Sequence, residues 1–243
     1  MQIVTNQKFI DSHVKFGRWG STLGFLVLMG GFGVSFLGPE WILPSYVCLI
    51  SGFMLFTMAR YNSIRYDMRP REDEVLANSL KGLDVKYRLI NYTDDLPVPH
   101  FLLSPYGIVV LETRHHWGEI VNQGSKWRQR RSFWEALRSM AVGSLGNPSK
   151  DAQRGVEAVR RYLRERLGEE QAAQVAVEGI VVFTSPKAHV IAEQPAVPVV
   201  APKELRSYIR TAQGREKMPA SLAKAVADIF EVPAPETRKA ARK

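Results

Sequence analysis

Glu112 is the carboxylate in this 243-residue chain best placed to do chemistry. It follows the apolar run Ile108–Leu111 inside a longer stretch, Pro99 to Ile120, that reads PHFLLSPYGIVVLETRHHWGEI. A carboxylate beside such a run is costly to bury unless something binds it. Glu112 is therefore a candidate site residue. His115 and His116 follow closely, and with Glu112 they supply residue types that ligate zinc or manganese. Neighbouring strand residues point to opposite faces, so only one histidine could join Glu112. The simpler reading is a partly exposed His-His-Trp strand end. A second candidate is basic. GSKWRQRR, from Gly124 to Arg131, gathers Lys126, Arg128, Arg130 and Arg131 around Trp127, with Arg138 further on. Such cations grip phosphates, and an indole offers a stacking face. Nucleic acid and anionic lipid headgroups both fit this patch, and charge does not separate them. The chain carries no Walker phosphate loop, no Ser-His-Asp arrangement of known spacing and no cysteine cluster. Cys48 is the only cysteine, so no disulfide forms within the chain.

The elements that must position Glu112 are two short strands, His100–Leu103 and Ile108–Leu111. Continuous apolar runs of this length suit strands buried on both faces. Ser104-Pro105-Tyr106-Gly107 supplies the turn between them. Upstream, Val75, Leu76, Ser79, Leu80 and Leu83 keep helical spacing, and Val85, Tyr87 and Leu89 alternate as in a strand. Downstream, GSKWRQRR reads as a loop and Ser132–Met140 as a short helix. Asn147-Pro148 gives an N-cap with proline at the first helical position, opening a helix to about Leu167. Val175–Phe183 is a β-branched strand, Val197–Val200 suggests another, and Pro202 and Pro219 open two final helices. The order after the first 70 residues is α-β-β-β-α-β, which builds a mixed sheet flanked by helices.

The first 70 residues have a different composition. Trp19 to Ala59 contains a single charged residue, Glu40. Trp19–Leu37 and Trp41–Ala59 each have the length to cross a hydrocarbon core of about 30 Å as a helix. Gly38-Pro39-Glu40 separates them, and the tryptophans mark span ends. We read a transmembrane helical hairpin rather than a signal peptide, because the polar lead-in is long and a second span follows at once. Gly20 and Gly24 form a small-xxx-small pair, read as packing of the two hairpin helices on each other. Lys8, Lys15 and Arg18 precede the hairpin, Arg60, Arg65, Arg69 and Arg71 follow it, and the loop has no lysine or arginine. The positive-inside rule then predicts a multi-pass protein of a bacterial-type inner (plasma) membrane with both termini cytoplasmic. The expected organisation is an N-terminal arm (1–18), the hairpin (19–59), a linker (60–70), an α/β domain (71–232) and a basic tail (233–243).

Five ordered pieces resemble the nuclease-related domain family (NERD), a branch of the PD-(D/E)XK restriction-endonuclease-like superfamily. They are the helix REDEVLANSL with Glu72, then His100 with the Pro105-x-Gly107 turn, Glu112 at a strand end, Gly118, Ile120 and Trp127, and Asn147-Pro148 with VVFTSPKA from Val181 to Ala188. The resemblance covers about Arg71 to Ala188. It implies an α/β restriction-endonuclease-like domain and, as chemistry, phosphodiester hydrolysis assisted by Mg²⁺ or Mn²⁺. It places Glu72, Glu112 and Arg114 at catalytic positions and makes Glu112 the metal ligand, if metal binds. Three positions depart from the pattern. Pro99 stands where the family has aspartate, Arg114 where it has lysine, and Asp151 where a glutamine is expected. Proline has no ligand atom in its side chain, and arginine stays protonated. The expectation is a remnant, inactive site with no cofactor, on a binding or assembly module at the cytoplasmic face. One alternative is an active metal-dependent nuclease whose site is rebuilt from Asp94 or Asp95. Another is an accessory subunit packed against other members of a membrane complex. The partners expected are the lipid bilayer, nucleic acid or anionic headgroups, and other membrane-complex subunits.

Overall fold

A computed structural model describes residues 1–130, 143–211 and 216–230. The chain divides into two compact units. One is a helical pair, Gln7–Glu72 with residues 143–144. The other is an α/β unit made of Met1–Asn6, Asp73–Arg130 and the described residues from Leu145 onward.

The α/β unit is built on a six-stranded sheet of β1 (Gln2–Thr5), β2 (Arg88–Asn91), β3 (His100–Ser104), β4 (Gly107–Arg114), β7 (Val177–Phe183) and β9 (Val199–Val200), in that spatial order. β3 and β4 pair antiparallel with Leu102 opposite Val109, as the turn at Pro105-Tyr106 requires. β4 runs parallel to β7, and the sheet is mixed. Alternate residues of β3 and β4 feed two separate cores. Phe101, Leu103, Ile108 and Val110 pack with Val159 and Leu163 of α4 (Pro148–Leu167) and with Val226 of α7 (Ala220–Ile229). Leu102, Val109 and Leu111 pack with Leu76 and Leu80 around α3 (Glu72–Ser79) and with Leu205 of α6 (Pro202–Thr211). Helices on both faces explain why these strands read as continuous apolar runs. A short α5 (Glu169–Ala173) follows α4.

Three features differ from expectation. β1 joins the sheet edge, parallel to β2, so residues before the helical pair belong to the α/β unit. β2 starts at Arg88, leaving Val85 exposed outside the strand. GSKWRQRR is not a loop: β6 (Lys126–Arg130) pairs with β5 (Gly118–Gln123), which pairs with β8 (Ala188–Glu193) in a second sheet. Gly124 takes the positive φ of 58° that the turn needs, and the Asn122 amide donates to the carbonyls of Gly124 and Lys126. The expected helix Ser132–Met140, Arg131, Arg138 and the basic tail lie outside the described residues.

The helical pair consists of α1 (Gln7–Val34) and α2 (Ile42–Tyr66), joined through a 3₁₀ turn at Pro39–Trp41. Their contact face is made mostly of small residues, Gly17, Gly20, Gly24 and Gly31 on α1 and Ser45, Gly52 and Ala59 on α2. A Cβ on Gly24 would stand 2.6 Å from the Phe56 nitrogen, and one on Gly52 would stand 2.8 Å from the Leu28 nitrogen. Large apolar side chains point outward instead, among them Leu23, Phe25, Leu43, Ile50 and Phe53. Arg18 closes the pair at one end with two hydrogen bonds to Asp67, at 3.1 and 3.0 Å. Among the described residues one helical stretch, Pro39–Tyr66, is long and apolar enough to cross a membrane, and 17 % of its most apolar window is buried. The expectation of two such spans is therefore met in one helix only. Regular α1 stops at Val34, before Phe36 and Leu37, and its many glycines add little apolar character.

Candidate functional site

The end of β4 carries the site. Glu112 and Arg114 lie two residues apart on one face of the strand, and Thr113 points to the other, where it is buried. Pro99 directly precedes β3, whose pairing with β4 runs from Phe101–Val110 to Ser104–Gly107.

α4 brings the third member. Its N-cap is Asn147, whose side chain accepts from the Lys150 amide at 3.1 Å, with Pro148 at the first helical position. That cap fixes Asp151 in the first turn, where a negative charge suits the helix dipole. The Asn147 amide also donates to the Ser125 carbonyl at 2.9 Å, tying the β5–β6 turn to the same helix start.

Arg114 occupies the centre. Its guanidinium donates to Glu112 Oε1, to Asp151 Oδ2 at 2.5 Å, to the Thr113 carbonyl at 3.0 Å and to the Leu145 carbonyl at 3.3 Å. Asp151 accepts a further hydrogen bond from Arg154 at 2.9 Å. The side chains of Arg114 and Glu112 are 16 % and 13 % exposed, so both charges are largely out of water and compensate each other. A planar fork can reach two carboxylates at once, whereas a lysine ammonium at the same position concentrates its charge at one point.

These donors do not fit the divalent metal that the family chemistry implies. Pro99 offers no side-chain ligand, and its carbonyl accepts from the Tyr92 amide at 2.7 Å. Glu112 and Asp151 are both bound to a fixed cation. Among the described residues no group of three or more His, Cys, Asp or Glu side chains is arranged to hold a metal ion. Asp94 accepts from the Asn6 side chain at 3.0 Å, and Asp95 from the Tyr162 hydroxyl at 3.3 Å. Burial first, and Asp95 beside it, push the Tyr162 hydroxyl above its ordinary pKa. β4 ends at Arg114, so His115 and His116 lie beyond it. His116 is buried, against the expectation of an exposed strand end, and His115 Nδ1 lies 3.2 Å from the Thr184 hydroxyl.

Glu72 falls within the helical unit, in electrostatic range of Arg65. The site of the α/β unit is assembled from Glu112, Arg114 and Asp151. His100, expected only as a family marker, is fully buried. Its Nδ1 meets Asn91 Oδ1 at 2.9 Å, and the Asn91 amide donates to the Thr5 hydroxyl at 3.0 Å. This chain fastens β1 to the sheet. No spacing signal reveals it, because the partners lie 86 residues apart.

The basic residues separate from their tryptophan. Lys126, Arg128 and Arg130 are exposed along β6, and Arg130 meets Glu119 at 3.1 Å. Trp127 turns the opposite way: its indole N–H donates to Ser149 Oγ at 2.9 Å and its ring lies 5.6 Å from that of Phe183. Alternation along a strand forces this split, so the expected stacking face is part of the core.

Residues 72–184 match the family model described as the nuclease-related domain, NERD. No curated protein and no solved structure matches the chain.

Proposed function

Taking residues 72–184 as a nuclease-related domain, we propose that this protein is a membrane-anchored binding or assembly module without phosphodiester turnover. The observation that carries this reading is Arg114, held between Glu112 and Asp151 where the family chemistry needs a metal and its water. A guanidinium stays protonated at any working pH, so it cannot take the proton from an attacking water. Four of its five N–H donors go to Glu112, Asp151 and two carbonyls, which ties it to the protein rather than to a substrate phosphate. Asp94 and Asp95, the replacements an active site would call on, are engaged by Asn6 and Tyr162.

The anchor is the helical pair. Its outward apolar side chains support a hydrocarbon environment, since a surface of this kind is not left in water by a soluble monomer. Connectivity supports two crossings. The chain leaves the α/β unit at Asn6 and re-enters it at Asp73, so if α2 crosses a bilayer, α1 crosses back. The basic flanks, Lys8, Lys15 and Arg18 before the pair and Arg60, Arg65, Arg69 and Arg71 after it, support an α/β unit on the cytoplasmic side.

The test is a cleavage assay. The full chain in detergent, incubated with DNA or RNA and Mg²⁺ or Mn²⁺, should give no product above that of Glu112→Ala. Cleavage by the wild type that disappears in Glu112→Ala would establish an active nuclease and end this reading.

A further inference from the structure

The second sheet leaves one face in solvent. Its register sets three rows across β6, β5 and β8: Arg130–Glu119–His189, Arg128–Val121–Ile191 and Lys126–Gln123–Glu193. The other face of the sheet is core, with Ile120, Trp127 and Val190 packed together. The open face therefore carries a column of cations about 6.8 Å apart along β6. Beside it lies an apolar row in which Ile191 is 48 % exposed.

Basic residues on an edge strand also keep other strands from pairing with it. That role needs charge on the edge but no exposed apolar row behind it. Cations beside apolar side chains suit a partner that presents phosphates over hydrocarbon. Single-stranded nucleic acid is the poorer fit, because it is held by stacking on aromatic rings as well as by charge. The tryptophan of this strand is committed to Ser149 and Phe183 on the buried face. Connectivity adds a second argument. Only Asn6 separates β1 from α1, and five residues separate α2 from α3. A unit tied this closely to an anchor always has headgroups within reach.

We propose that the open face of the β6–β5–β8 sheet is a docking surface for anionic phospholipid headgroups, with Lys126 and Arg128 as its cations and Val121 and Ile191 as its apolar row. Arg130 is partly neutralised by Glu119 and contributes less. The proposal rests on the membrane-anchored reading above.

The test uses the full chain with Cys48→Ser and a single reporter, Ile191→Cys, carrying an environment-sensitive dye, in nanodiscs. Val85→Cys, exposed outside this sheet, serves as the control position. In discs of phosphatidylglycerol and phosphatidylcholine the Ile191→Cys dye should shift to the blue and resist a water-soluble quencher. In phosphatidylcholine alone it should not. Each cation near an anionic surface shifts such an equilibrium by about fivefold. Lys126→Glu with Arg128→Glu should therefore lower the docked-to-undocked ratio by at least tenfold, roughly, with the control dye unmoved. Equal quenching in both lipids would overturn the docking surface, and that comparison needs no charge variant to fold. Protection conferred by added single-stranded or duplex DNA in phosphatidylcholine discs would assign the face to nucleic acid and overturn the lipid assignment. Recovery of the chain outside the discs would overturn membrane anchoring itself, and the docking surface with it.

Discussion

The helical pair and the α/β unit use glycine and large apolar side chains in opposite ways. In the pair, glycines and other small residues line the contact face and Leu23, Phe25, Leu43 and Phe53 point outward. In the α/β unit, Phe101, Leu102 and Leu111 are wholly buried and the arginines of α4 lie outside. Water drives apolar side chains together, whereas in lipid, close backbone approach holds helices and apolar side chains face the solvent. One chain thus carries two ways of packing, and the outward apolar side chains of the pair agree with the membrane anchor proposed above. The polar site at the end of β4 belongs to the unit that buries its apolar side chains, where a largely buried carboxylate must have a partner.

The largest effect should come from exchanging equivalent residues between these regions. Phe101→Ala empties a site in the sheet core and should cost about 3–5 kcal/mol. Phe25→Ala removes an outward ring and should stay within about 0.5 kcal/mol. Denaturant unfolding in detergent, read by tyrosine and tryptophan fluorescence, separates the two. Equal losses would mean that Phe25 is packed like Phe101 and that the contrast is false.

A middle effect belongs to the site. Arg114→Ala leaves Glu112 and Asp151 without the cation they share, with Arg154 still paired to Asp151. Because the cluster is only partly screened from water, the expected loss is about 2–3 kcal/mol, below that of a fully buried pair. Adding Glu112→Ala should recover part of it, since the two residues are coupled. Additive losses in this cycle would remove the ion cluster from the account.

The smallest effect concerns the clasp at the end of the pair. The hydrogen bond from Arg18 holds the Asp67 carboxyl below its ordinary pKa of 3.8. A lowered carboxylate contributes stability that is present above its unfolded pKa and lost as pH falls through the folded one. Melting temperature should therefore drop below about pH 4, and Asp67→Asn should lower it slightly at neutral pH, leave it unchanged in acid, and so flatten that acid limb. An unaltered acid limb would make the clasp energetically silent.

What the sequence revealed follows the same divide. β3 and β4 were legible because a strand covered on both faces must be apolar throughout, and Asn147-Pro148 announced α4 through its own cap chemistry. β1 was not legible, because Gln2-Ile3-Val4-Thr5 is too short to show a period and its partners lie far along the chain. β6 was misread because edge charges look like a loop until alternation is seen to turn Trp127 and Gln129, both half-buried, away from the exposed cations. The residue types of the site were readable, including the loss of aspartate at Pro99. The bridge was not, because nothing in the spacing of Arg114 and Asp151 says that one guanidinium spans both carboxylates.

The central claim is that Arg114 takes the place of the metal, and calorimetric titration with Mn²⁺ tests it most directly. The wild-type chain should give no heat of binding attributable to Glu112. Pro99→Asp with Arg114→Lys, which supplies the second carboxylate of the family pattern and withdraws the bridging fork, should bind the ion at the end of β4. Manganese bound by the wild type and lost in Glu112→Ala would contradict the account.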